Sequence, residues 1–189
     1  MRPNMTLSIS ALAMGLALGA AAQTRDPAPT APNRSIVTAE APRAPAAENK
    51  DAEDLEFLTE ALRTGLAEVQ MGELAAQRGH DPRVRAYGAK LKTDHAGLAA
   101  EIEALLKPLN VAIPAEPSSE AQVHHAALAR LSGEEFDSRF VEMMIASHTE
   151  AIEKYGAQTH ANPDRALHDF AAKALPMLRE HLAEAQSLR

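Results

Sequence analysis

The sequence predicts an all-α protein, a four-helix bundle made of two antiparallel helical hairpins. Three observations predict it. Four long segments carry apolar residues at the i, i+3, i+4, i+7 spacing of a helix with one buried face. Two of the links between them are short turns that force the flanking helices antiparallel. The remaining link is long and interrupted by prolines, so the hairpins are joined by a crossover rather than by a third turn. With 3% aromatic residues and no long β-branched run, the 189 residues leave one modest helical domain and a remainder that is not domain.

That remainder comes first. Residues 1–22 open with Arg2, continue through the apolar run "TLSISALAMGLALGA" and close on small residues, the pattern of a secretory signal with cleavage expected after Ala22. The run is short and glycine-containing for a membrane span, so the mature protein is expected to have none. Residues 23–50 are alanine, proline and polar residues without apolar period, and read as a disordered linker. The folded domain is expected over residues 51–189, in the periplasm or outside the cell.

Within that domain the first helix spans about Ala52 to Gly79. The second spans about Pro82 to Leu106, with Asp81 as N-cap and Pro82 at the first helical position, where its missing N–H costs nothing. The crossover "KPLNVAIPAEPSSEAQVHHAALARLSGEEF" carries a short helix near Ser119 to Leu131. The third long helix covers about Glu134 to His160, opened by Ser132 and Glu135 at capping-box spacing. The fourth covers about Pro163 to Leu188, opened by Asn162 and Pro163, with Pro176 inside it as a source of a kink. Two hairpins with one long crossover describe a ferritin-like bundle better than a simple up-down one.

Each long helix also aims one central titratable residue at the core. On the second helix His95 falls on the face of Val84, Leu91, Leu98, Ile102 and Leu106. Glu68 lies on the stripe of Phe57, Ala61, Gly65, Gly72 and Ala75. His148 lies with Val141, Met144, Ile152 and Tyr155, and His181 with Phe170, Ala174, Met177, Ala185 and Leu188. One such histidine is ordinarily a hydrogen-bonded core residue. Four titratable groups, one per helix, are expected to share hydrogen bonds, water or a metal ion, because an isolated buried charge is costly. Glu68, His95 and His148 sit near mid-helix, whereas His181 stands about one turn closer to its helix end at about 1.5 Å per residue.

Four blocks carry a resemblance to a known family: "AEVQMGELA" (Ala67 to Ala75), "TDH" (Thr93 to His95), "FDSRFVEMMIASH" (Phe136 to His148) and "FAAKALPMLREHL" (Phe170 to Leu182). Together they resemble the helix signatures of domain-of-unknown-function family 4142, exported bacterial proteins with a ferritin-like fold. The resemblance implies a four-helix domain from about Leu55 to Leu188 and no agreed activity. It places Glu68, Asp94, His95, His148 and His181 on the family's recurrent polar positions. The chain departs from the family at Ala99, where relatives often have asparagine, and at Phe140, where tyrosine is frequent.

Composition and motifs then narrow the function. Loss of Arg2 with the signal moves the formal charge from −7 to −8, a poor balance for nucleic acid or anionic lipid. Without cysteine, thiolate metal sites and disulfides are excluded. A di-iron carboxylate centre needs Glu-x-x-His on two helices, but Lys92 and Leu178 stand three residues before His95 and His181. No HExxH, phosphate loop or nucleophile with a positioned base is present, so no catalytic residue is assigned. Two readings remain. One is a non-catalytic structural or interaction module of the envelope, which the sequence favours. The other is a single-ion site for Zn, Mn, Fe or, less readily, Cu, with Glu68, His95, His148 and His181 as candidate ligands. Asp94, Met144 and Met177 would then stand behind them. His80, His124, His125, His160 and His168 are expected at turns, on the crossover or on an outer face.

Overall fold

A computed structural model describes residues 45–161 and 164–189. The expected signal and most of the expected linker lie outside the described residues, as do Asn162 and Pro163. Among the described residues there is no strand, and no helix is long and apolar enough to cross a membrane. The helices are α1 (Pro45–Arg78), α2 (Pro82–Leu106), α3 (Ser119–Leu128), α4 (Gly133–Ala161) and α5 (Arg165–Ser187).

Helix α1 starts earlier than expected, taking residues 45–50 from the segment read as linker. The stretch "PAAENKDAED" is rich in alanine and charged helix formers, and Lys50 pairs with Asp54 at 2.9 Å and Glu53 at 3.7 Å along one face. Helix α2 is capped as read: the Asp81 carboxylate accepts from Arg83 N at 2.7 Å with Pro82 following. Helix α4 opens at Gly133, whose φ of 62° is left-handed and favours glycine. Where a box of Ser132 and Glu135 was expected, the Ser132 carbonyl accepts from Phe136 N at 3.4 Å. Helix α5 is capped by Asp164, not Asn162; its carboxylate accepts from Ala166 N at 2.7 Å and Leu167 N at 3.1 Å. The helix runs on through Pro176 without a break.

The core falls into two apolar halves. One gathers Leu58, Leu62, Leu98, Ile102, Leu106, Tyr155, Leu167, Phe170 and Leu178. The other gathers Met71, Ala75, Val84, Tyr87, Leu91, Leu128, Phe136, Phe140, Met144 and Ala185. Along α1 and α5 the chain passes from the first half to the second, and along α2 and α4 from the second to the first. Helices α2 and α4 are therefore parallel, and the segment joining them must travel back the length of the bundle, as a ferritin-like topology requires. That segment turns at Asn110 (φ 52°), packs Val111 and Ile113 on the first half, and reaches the second half with Leu128. Its end is tied down by Arg78, which donates to the carbonyls of Ala129 and Leu131. The α1–α2 turn is tied to α4 by Asp137, which accepts from His80 N at 2.8 Å and Asp81 N at 2.7 Å.

Helices α1 and α2 approach each other closely at Gly72 and Gly88. A Cβ at Gly72 would stand 2.6 Å from the Gly88 carbonyl oxygen, and one at Gly88 would stand 2.7 Å from the Gly72 oxygen. Backbone cannot yield cheaply, so Gly72→Ala or Gly88→Ala is expected to destabilise by about 1–3 kcal/mol in denaturant melts. Gly65, on the same helix, has nothing within 4 Å of a built Cβ. Gly65→Ala is expected to stabilise by about 0.5–1 kcal/mol through helix propensity. Equal effects at Gly65 and Gly72 would contradict this packing.

Candidate metal centre

Between the two apolar halves lies one polar layer. Glu68 stands between Leu62 and Met71 on α1, His95 between Leu91 and Leu98 on α2, His148 between Met144 and Tyr155 on α4, and His181 between Leu178 and Ala185 on α5. All four are buried: 4% exposed for Glu68, 1% for His95, and 0% for His148 and His181. His181 thus shares the level of the others, a point the sequence left open. Helix α5 starts at Arg165 and is staggered against its neighbours by side-chain packing, which counting from helix ends does not capture.

The three rings meet through single nitrogens. His95 Nε2 and His148 Nε2 are 3.4 Å apart, and His148 Nε2 and His181 Nδ1 are 3.2 Å apart. One nitrogen from each ring lies within 4.8 Å of the other two. The opposite nitrogens all face acceptors. His148 Nδ1 lies 2.9 Å from the Met144 carbonyl oxygen and 3.6 Å from Glu68 Oε1. His181 Nε2 lies 2.8 Å from Asp94 Oδ2. His95 Nδ1 lies 3.1 Å from Glu68 Oε2, but off the line a hydrogen bond needs, so it is a buried nitrogen without one.

Those acceptors decide the tautomers. A carbonyl or an ionised carboxylate can only accept, so His148 Nδ1 and His181 Nε2 carry protons, and the Glu68 charge favours a proton on His95 Nδ1. In the neutral imidazoles His148 Nε2 and His181 Nδ1 then present lone pairs to each other, and His95 Nε2 adds a third when its proton sits on Nδ1. At 3.2–3.4 Å these repel unless a proton or a cation lies among them.

The charges point the same way. Burial disfavours the ionised form of Glu68, but His95, His148 and the Ser147 hydroxyl, which donates at 2.8 Å, hold the carboxyl below its ordinary range. Burial depresses His95, more than Glu68 beside it can offset. Burial likewise lowers His181 to about 4, against the raising effect of its bond to Asp94. Asp94, partly buried, is held low by His181 and by Lys90 at 3.1 Å. The layer therefore combines carboxylates held low with two histidines, His95 and His181, whose burial disfavours their charged form.

Each residue expected at the site can now be placed. His95, His148 and His181 are brought together. Glu68 is not on the side where their nitrogens converge; it sits behind the rings, on Nδ1 of His95 and His148. Asp94 stands behind His181, Met144 contributes its carbonyl oxygen, and Met177 packs half-buried against the first apolar half. Two participants were missed. Ser147 holds Glu68, and Tyr87 donates from its hydroxyl to the His181 carbonyl at 3.1 Å, pinning α2 to α5. A hydroxyl beside His148 was the available signal for the first. The Tyr87 bond joins residues far apart in sequence and left no local trace. Of the remaining histidines, His80, His124 and His160 are exposed, and His125 and His168 half-buried.

Residues 39–188 match the family described as "Domain of unknown function (DUF4142)". The bundle is similar to the crystal structure of a DUF305 fragment from Deinococcus radiodurans, at 16% identity and a TM-score of 0.63, covering 72% of this chain and 94% of that one. At that identity the likeness carries the fold alone. No curated protein matches the sequence.

Proposed function

The chain belongs to the DUF4142 family, whose description assigns no activity, and from that premise we propose that its bundle binds one divalent transition-metal ion through His95 Nε2, His148 Nε2 and His181 Nδ1. The observation that carries this reading is the convergence of three imidazole nitrogens whose opposite nitrogens all face acceptors. In histidine metal sites the nitrogen away from the ion commonly faces such a carboxylate or carbonyl, which fixes the tautomer and strengthens the ligand. In a tetrahedral site with Zn–N bonds of 2.0–2.1 Å the nitrogens stand about 3.3–3.4 Å apart, close to the 3.4 and 3.2 Å of two of the three pairs here, the third lying within 4.8 Å. Imidazole ligands suit Zn, Cu, Fe or Ni over Mg or Ca.

In this reading Glu68, Asp94 and the Met144 carbonyl orient the rings, and Glu68 and Asp94 supply negative charge to balance the ion. A purely structural role for the layer would leave the lone-pair repulsion without a purpose. Export, for which residues 1–22 speak, would make the envelope the place where the ion is held.

The test is elemental analysis of untagged protein purified from its native compartment, with the N-terminal residue read by mass spectrometry. One equivalent of metal and a chain beginning at Gln23 are expected. Absence of bound metal, together with no uptake of Zn²⁺ or Co²⁺ on titration, would overturn the binding reading; a chain still beginning at Met1 would overturn export.

A further inference from the structure

Helices α1 and α4 are held apart. Between them a groove of about 1210 Å³ runs under the start of α3, and its floor includes Glu68 and His95. Three features of this groove bear on the histidine layer. Acidic side chains outnumber basic ones seven to three among the residues that line it, with Glu56 and Glu60 exposed on α1. Gly65, one turn from Glu68, leaves the floor open where any other residue would place a side chain. Its lining includes the buried residues Glu68 and His95, and His95 Nδ1 is the buried nitrogen without a hydrogen bond.

The opposite side of the layer has a smaller pocket, of about 250 Å³, lined by Asp94 and by none of the three histidines. Asp94, Lys90 and Glu180 cover His181 between α2 and α5, with Lys90 Nζ 3.1 Å from both carboxylates. A hydrated cation approaching there meets an ammonium group. Approaching between α1 and α4 it meets a net negative cleft, and carboxyl-lined clefts with low-dielectric walls raise local cation concentration and association rates.

We infer that the α1–α4 groove is the path by which a divalent cation reaches the three histidines, and that Glu68 at its floor is the carboxylate that receives the ion before they do. This rests on the three-histidine reading. It adds a route and a relay group. Glu68 is the carboxylate in contact with both the groove and the rings, and because it stands on their Nδ1 side the last step carries the ion past the edges of the His95 and His148 rings to the nitrogens that meet beyond them. The ion's passage displaces no covalent bond; the protons on His95 and His148 Nδ1 stay in place, facing Glu68.

Stopped-flow measurement of Co²⁺ or Zn²⁺ binding to the full chain tests the route through rates. Gly65→Leu places a branched side chain on the groove floor at a position where a Cβ meets nothing within 4 Å. It is expected to slow association and dissociation alike, several-fold, with an unchanged Kd, because a blocked path alters both rates and not the equilibrium. Glu56→Gln with Glu60→Gln is expected to slow association alone and to weaken its dependence on ionic strength. Normal rates in Gly65→Leu with binding intact would overturn the route and leave the histidine site standing. A changed Kd at an unchanged association rate would also overturn it, since the residue would then act on the site and not on the path. Failure of the wild-type protein to bind either ion would overturn the three-histidine reading and this inference with it.

Discussion

Zinc added to the metal-free protein is expected to raise its thermal midpoint, and His148→Ala is expected to abolish that rise. Among the three rings His148 is central: its Nε2 is 3.4 Å from His95 Nε2 and 3.2 Å from His181 Nδ1. Its loss leaves only the His95 and His181 imidazoles in the layer, one ligand short of the set. An ion that binds only the folded state stabilises it by about 2.7 kcal/mol at a hundredfold excess over Kd, which for a domain of this size is about 5–10 °C. His125→Ala on α3 removes a histidine outside the layer and should keep the full response. The comparison is made by thermal melts with chelator and with added Zn²⁺. Equal zinc responses in wild type and His148→Ala would rule out the three-histidine site.

The second large effect is on acid stability. The metal-free protein is expected to lose stability as pH falls from about 6.5 toward about 4. Burial lowers His181 from its ordinary 6.5 to about 4, so between these values the unfolded chain takes up a proton that the folded chain refuses. Stability is fully present above the unfolded value and lost as pH falls through the folded one. His95 moves in the same direction, again by burial first. Around His181 stand Asp94, Lys90, His95, His148 and the ring of Tyr87, and of these only Asp94 favours its protonation strongly. Glu68 and Asp94, held below the ordinary carboxylate range, add a further loss at still lower pH as they protonate. Urea midpoints measured with chelator across this range should fall for wild type and fall less for His181→Gln. A flat profile between pH 7 and 4.5 would mean that the histidines already hold their protons in the folded state.

Much of this protein could be read without coordinates because its signals are local. The 3.6-residue apolar period, the Asp81–Pro82 cap, the short turns and the proline-broken crossover each depend on neighbours along the chain, and together they specify two hairpins and a crossover. The same period showed that Glu68, His95, His148 and His181 face inward, since a helical wheel needs only the sequence and the pitch. Where a helix begins was less legible: Asp164 displaced Asn162 as a cap, and α1 gained a turn or more at its N-terminus, because helix ends are decided by weak, competing interactions.

Tertiary structure decided the rest. Whether four inward residues meet depends on how far each helix slides against its neighbours, and that stagger is set by contacts such as Gly72 against Gly88 and Tyr87 against the His181 carbonyl, which join distant parts of the chain. It brought His181 level with His148. It also turned Glu68 to the outer nitrogens of two rings, away from the side where the inner nitrogens meet. The sequence by itself determined which side chains point inward; only the packing of the helices determined which atoms of those side chains face one another, because side-chain direction follows from helix pitch, whereas interatomic distance follows from the relative placement of helices that no local pattern encodes.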